Sequence, residues 1–103
     1  MIKTALVVPV RDNDGRSFSP RVWRELEARL LRFGGYTIEV GVAGAWESGG
    51  RLYRDRSRRY TVALPSWFDV PAWLDVVVWA RTRFRQEALY IEIAGIPEIA
   101  DGS

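Results

Sequence analysis

The chain has 103 residues, no cysteine, no histidine and five tryptophans, and fifteen basic residues against thirteen acidic ones leave a formal net charge of +2. Zinc sites built on Cys or His, cysteine nucleophiles, Ser-His-Asp triads, histidine bases and disulfide frameworks are thereby excluded. The length fits one domain, the 48% apolar content is that of a globular chain, and no run of about 20 apolar residues is present to span a bilayer.

Residues 2–10 are apolar and rich in β-branched side chains, so they read as a buried strand. Pro9, Arg11, Asp12 and Asp14 follow where a signal peptide would carry a small-residue cleavage site, and the expected location is cytoplasmic. Arg11-Asp12-Asn13-Asp14-Gly15-Arg16 is a loop by turn chemistry, and its acids lack the alternating spacing of a calcium loop. A helix is predicted from Ser19 as N-cap and Pro20 in the first position, with Val22, Trp23, Leu26, Leu30 and Phe33 at helical spacing. Phe18 and Trp23 occupy the two positions of a hydrophobic staple, and Gly34-Gly35 ends the helix.

Residues 36–46 alternate, with Tyr36, Ile38, Val40, Val42 and Trp46 on one side. Gly49-Gly50 marks a hairpin, and residues 52–65 return as a strand with Tyr60, Val62 and Leu64 on the same side. A second helix starts at Asp69 with Trp73, Val77, Ala80 and Phe84 as its stripe. Residues 88–94 form a further alternating strand. The domain therefore runs over residues 1–96, with 97–103 expected to be a flexible tail.

The order β-α-β-β-α-β repeats internally. Phe18-Ser19-Pro20-Arg21-Val22-Trp23 is echoed 50 residues later by Phe68-Asp69-Val70-Pro71-Ala72-Trp73. Two such halves predict an α+β, ferredoxin-like split βαβ fold: a four-stranded antiparallel sheet of order 4-1-3-2 with both helices on one face. The other face then meets water, a ligand or a second subunit. Parity places Thr37, Glu39, Gly41, Ala43, Arg59, Thr61, Ala63, Tyr90 and Glu92 there. Its small central residues suit sheet-to-sheet pairing in a dimeric α+β barrel, and Glu39, Arg59, Tyr90 and Glu92, with Trp46 near the mouth, are the candidate ligand-binding set. Glu39 and Arg59 also read simply as cross-strand partners on a solvated face.

Arg51, Arg54, Arg56, Arg58 and Arg59 crowd into nine residues with only Asp55 opposing, and Arg81, Arg83 and Arg85 end the second helix. Arginine grips phosphate with two donors at once, so the 51–59 cluster is the candidate nucleic-acid or phosphate surface. The third strand lacks the aromatic signature of an RNA recognition motif, and arginine near a sheet edge also serves to discourage aggregation. A net charge of +2 does not by itself demand a polyanion; the clustering carries the argument. Trp46, Trp67 and Trp79 lie outside the helical stripes and are candidate interface residues.

Phe33-Gly34-Gly35-Tyr36-Thr37, then Gly44-Ala45-Trp46 before a Gly-Gly hairpin, and later Phe84-Arg85-Gln86-Glu87-Ala88-Leu89-Tyr90, resemble the pattern of small uncharacterised bacterial proteins with an aromatic-Gly-Gly-x-Thr segment leading into a Gly-x-Trp strand end. The resemblance implies a ferredoxin-like fold and carries no activity and no functional residues. The expected function is a non-catalytic binding or interaction module acting through its open sheet face as a homodimer. The alternatives are a small-molecule-binding or cofactor-free enzymatic barrel using Glu39, Arg59, Tyr90 and Glu92, and nucleic-acid binding. No cofactor, metal or membrane partner is expected; a protein or small-molecule partner is.

Overall fold

The computed structural model describes residues 1–102. Its elements are β1 (Ile2–Pro9), α1 (Pro20–Leu31), β2 (Thr37–Ser48), β3 (Arg51–Leu64), α2 (Val70–Arg83), β4 (Leu89–Ile93) and β5 (Ile96–Ala100), with one 3-10 turn at Trp67–Asp69 leading into α2. They form an α+β fold with one antiparallel sheet of order β2-β3-β1-β4-β5. β1 is apolar on both sides because it is central, flanked by β3 and β4.

Both helices pack on one face. Leu6, Tyr60, Val62 and Leu64 meet Leu26, Leu30, Trp73, Val77 and Phe84 there, all fully buried. Thr4, the one polar side chain on this face of β1, donates its hydroxyl to the Val62 carbonyl at 2.8 Å, so burial leaves it no unpaired donor. The helices are tied to each other by Arg83, which donates through Nε and Nη2 to the two oxygens of Glu25 at 3.2 and 3.1 Å. No helix among the described residues is long and apolar enough to cross a membrane.

The structure corrects four sequence expectations, beginning with the sheet. It has five strands rather than four in order 4-1-3-2, because residues 97–100, expected in the flexible tail, join Ile96 in a strand that pairs with β4. Ala94 and Gly95, at φ 53° and 78°, make the two-residue turn that folds β5 back. Two positive φ angles in succession match the right-handed twist of the strands. Ser103, the end of that tail, lies outside the described residues.

Second, β2 carries a bulge. Glu39 lies opposite Arg59, but Val42 lies opposite Ser57, so two residues, Val40 and Gly41, face one. Gly41 takes φ 76°, which a side chain would resist. Side-chain parity reverses beyond it: Val42 and Trp46 come onto the open face, Ala43 leaves it, and Val40 stays 69% exposed at the bulge.

Third, the repeated staple holds once. Phe18 packs edge-on against Trp23 with ring centroids 6.1 Å apart, whereas Phe68 is 95% exposed and Trp73 is buried without it. The 3-10 turn is the reason. Ser66 and Asp69 close a reciprocal capping box around it, and this turns Phe68 outward before α2 begins. Fourth, Ser19 caps α1 through its extended backbone and carbonyl alone, without a side-chain hydrogen bond.

β1 stops pairing at Pro9 opposite Ser57, but β2 and β3 continue to a turn at Gly49-Gly50. The hairpin beyond the bulge is thus an arm with neighbours on neither face, and residues 43–56 are exposed throughout.

Candidate functional site

Alternation on three strands brings four side chains to one place on the open face. β2 supplies Glu39, β3 supplies Arg59 directly opposite it, and β4 supplies Tyr90 and Glu92 two residues apart. β1 lies between β3 and β4, with Val7 opposite both Arg59 and Tyr90, and Ala5 opposite both Thr61 and Glu92. The short Ala5 side chain lets Arg59 reach diagonally across β1. Its Nη2 donates to both oxygens of Glu92 at 3.1 Å, and the pair roofs Ala5, which is buried. On the other side Arg59 Nε is 3.9 Å from Glu39 Oε1. The Tyr90 hydroxyl donates to Glu92 Oε2 at 2.9 Å.

The electrostatics follow from these contacts. The Tyr90 hydroxyl and, next, the Arg59 guanidinium hold the Glu92 carboxyl below the usual range. Tyr90 is pushed the other way, because its proton is held by Glu92. At neutral pH the set is therefore a charged carboxylate, a phenol that keeps its proton and a paired guanidinium. Glu39 is held least: its side chain is 63% exposed and only its long contact with Arg59 restrains it. The arrangement offers hydrogen-bond acceptors and one exposed carboxylate able to turn toward a ligand. Among the described residues no group of three or more acidic side chains is placed to hold a metal ion.

The remaining candidates separate. Trp46 is not beside this set: past the bulge it sits on the arm, stacked on Tyr53 at 4.5 Å between centroids, with the Arg51 guanidinium 5.6 Å over Tyr53. The sequence offers Tyr53 as a stacking neighbour of the 51–59 arginines, but its pairing with Trp46 was missed. Counting back from the Gly49-Gly50 turn places it opposite Trp46, and that signal was available. Trp67 is exposed on its 3-10 turn. Trp79 is not an open flank: Arg29 lies 3.8 Å over its ring, and its inner edge meets Phe84. The 51–59 arginines are not one patch. Strand alternation sends Arg54, Arg56 and Arg58 to the helix side, and Arg51 and Arg59 to the open side with Asp55.

No family model and no curated protein sequence matches the chain. Solved structures do resemble it in fold. A phage SAM lyase in complex with S-methyl-5'-thioadenosine superposes with a TM-score of 0.67 at 18% identity, over 95% of this chain and 85% of that one. The same kind of phage enzyme in its apo state gives 0.66 at 17% identity over 95% and 85%. A divalent cation tolerance protein (Cut A1) from Thermus thermophilus gives 0.56 at 16% identity, over 96% and 80%. At these identities the likeness concerns the fold.

Proposed function

We propose that the chain binds a small polar ligand of the thioadenosine class on the open face of its sheet, in a homo-oligomer whose second copy closes that face. The observation that carries this reading is the convergence of Glu39, Arg59, Tyr90 and Glu92 across the short side chain of Ala5. Four polar side chains on a bare face would ordinarily be spread singly over it. Here three of them share hydrogen bonds, and the fourth, Glu39, is exposed enough to reorient.

The chemistry suits a ribose-bearing ligand. A carboxylate accepts hydrogen bonds from vicinal hydroxyls, and the half-exposed Tyr90 ring offers a face to a purine. The fold's likeness to a phage SAM lyase solved with S-methyl-5'-thioadenosine supports that class. Closure by a second copy is supported by the apolar residues on the same side of the sheet. Trp46 and Tyr53 lie at the arm end, and Ile99, opposite Tyr90, at the β5 end. A site closed on both sides excludes water and strengthens each polar contact.

The test is calorimetric titration of the intact protein with S-methyl-5'-thioadenosine. Saturable binding is expected, weakened about 10- to 100-fold in Glu92→Gln and in Glu39→Gln, the effect of losing one hydrogen bond to a charged group. No heat at millimolar ligand overturns the ligand class. Light scattering separately tests closure: a mass of 11.8 kDa, that of a single chain, overturns it.

A further inference from the structure

The helix side of the arm carries chemistry of its own. Even-numbered residues of β3 face that side, so Arg54, Arg56 and Arg58 form a row, with Cβ atoms about 6.8 Å apart by the rise of an antiparallel strand. Arg58 ends the row on the body, its guanidinium 4.1 Å over the Trp23 ring and 3.5 Å from Glu27. Arg56 reaches the carbonyl of Gly41 at the bulge, at 3.3 Å. Arg54 is exposed, and Asp55 between them lies on the opposite face, against Gly44.

At its body end the row opens into a groove of about 400 Å³ between the loop after β1 and the first turns of α1. Val10, Phe18, Trp23, Arg24, Glu27 and Arg58 line it. Glu27 is the only acid in that lining, and it is already engaged: it accepts the Tyr60 hydroxyl at 2.7 Å and pairs with Arg58. No carboxylate in the groove is left for Arg24, which is exposed at the groove's rim. The row and groove thus present four guanidiniums against one committed carboxylate.

We propose that this row and groove bind single-stranded nucleic acid. Phosphates lie along Arg54 and Arg56, where a guanidinium meets two phosphate oxygens at once. One base enters the groove and stacks on the outer face of Arg58, whose inner face already lies on Trp23, with Phe18 beside it. The groove has room for one base and its sugar, and a duplex hides the base faces this stacking needs. An acidic side chain would satisfy the arginines but brings no aromatic face to extend the guanidinium–aromatic stack. The surface lies on the side of the sheet away from Glu39, Arg59, Tyr90 and Glu92, and so stands independently of the ligand reading.

The experiment is fluorescence anisotropy of a labelled mixed-sequence 12-nucleotide DNA on the full-length protein. The unlabelled RNA of the same sequence, the duplex and a mononucleotide serve as competitors. Neutralising three or four phosphates predicts an affinity that falls about 20- to 50-fold between 50 and 200 mM salt. Arg54→Ala, Arg56→Ala and Arg24→Ala each weaken binding and flatten the salt slope by about one phosphate. Arg32→Ala, at the far end of α1, leaves both unchanged. Arg54 and Arg24 are exposed, and unchanged urea midpoints for their variants separate lost binding from lost folding. Competition by either single strand supports the proposal. Salt-insensitive or absent binding overturns it, as does an equal loss in Arg32→Ala, or a duplex or mononucleotide that competes as well as the strand.

Discussion

Strand β3 runs through two regions that share a backbone and differ in everything that holds it. Over residues 57–64 it has β1 on one edge, β2 on the other as far as Thr61, and helices across one face, and Tyr60, Val62 and Leu64 are fully buried. Over residues 51–55 it has only β2, the Arg56 carbonyl still accepts the Val10 N–H at 3.0 Å on the other edge, and every residue from 51 to 56 is exposed. The body is held by apolar burial, whose contribution scales with area removed from water. The arm is held by cross-strand pairs such as Trp46 with Tyr53, each contributing roughly 0.2–1 kcal/mol, and a lone two-stranded ribbon is marginal in water. A segment that keeps its shape so weakly by itself is suited to be finished by what it touches. Both proposed activities accordingly draw on residues at or near the arm.

The largest effect that would sharpen this contrast lies in the body. Trp73→Ala removes a fully buried indole and is expected to cost about 3–5 kcal/mol in urea unfolding. A loss below about 1 kcal/mol would place the core elsewhere. Next come the two residues that sequence makes twins. Phe18→Ala is expected to destabilise by about 1–3 kcal/mol, because its ring packs 4.9 Å from Phe84 as well as against Trp23. Phe68→Ala, at 95% exposure, stays within about 0.5 kcal/mol. Equal losses would break the distinction.

Gly41→Val forces a β-branched residue to φ 76° and is expected to cost about 1–2 kcal/mol. Amide exchange should show the change confined to the arm, while β1 and the body of β3 stay protected. Spread of that change into β1 would mean that arm and body unfold as one unit. The smallest effect is on pH dependence. Glu92 binds its proton less readily folded than unfolded. Its contribution is therefore fully present above the unperturbed glutamate value of about 4.3 and is lost as pH falls through the lowered folded value. Glu92→Gln should flatten the acid limb of the stability curve; an unchanged limb would mean that the Arg59 and Tyr90 contacts do not persist in solution.

What could be read in the chain divides along the same line. The helical stripes were legible because their period is local: Val22, Trp23, Leu26 and Leu30, and Trp73, Val77, Ala80 and Phe84, are all buried as spaced. The meeting of Glu39 with Arg59, Tyr90 and Glu92 was legible because strand parity holds up to Glu39. Trp46 was misplaced because one inserted residue reverses parity, and Gly41 looks in sequence like any strand glycine. β5 was hidden by Pro97 and Glu98, which read as a polar end. The Ala94-Gly95 pair between two isoleucines was its only signal. The fate of Phe68 depended on a competing cap at Ser66, and both caps are plausible from sequence alone.

The bulge at Gly41 also has a mechanical meaning. Removing that single residue would leave Glu39 opposite Arg59 and Val42 opposite Ser57 in one unbroken register, so no cross-strand pair on the arm would change partner. What would go is the bend that a bulge puts into its strand, together with the carbonyl that Arg56 holds. The direction in which the arm points is thus written in one backbone unit, apart from the side chains that give the arm its chemistry. An insertion or deletion at this one site would swing the arm without rewriting either of its surfaces.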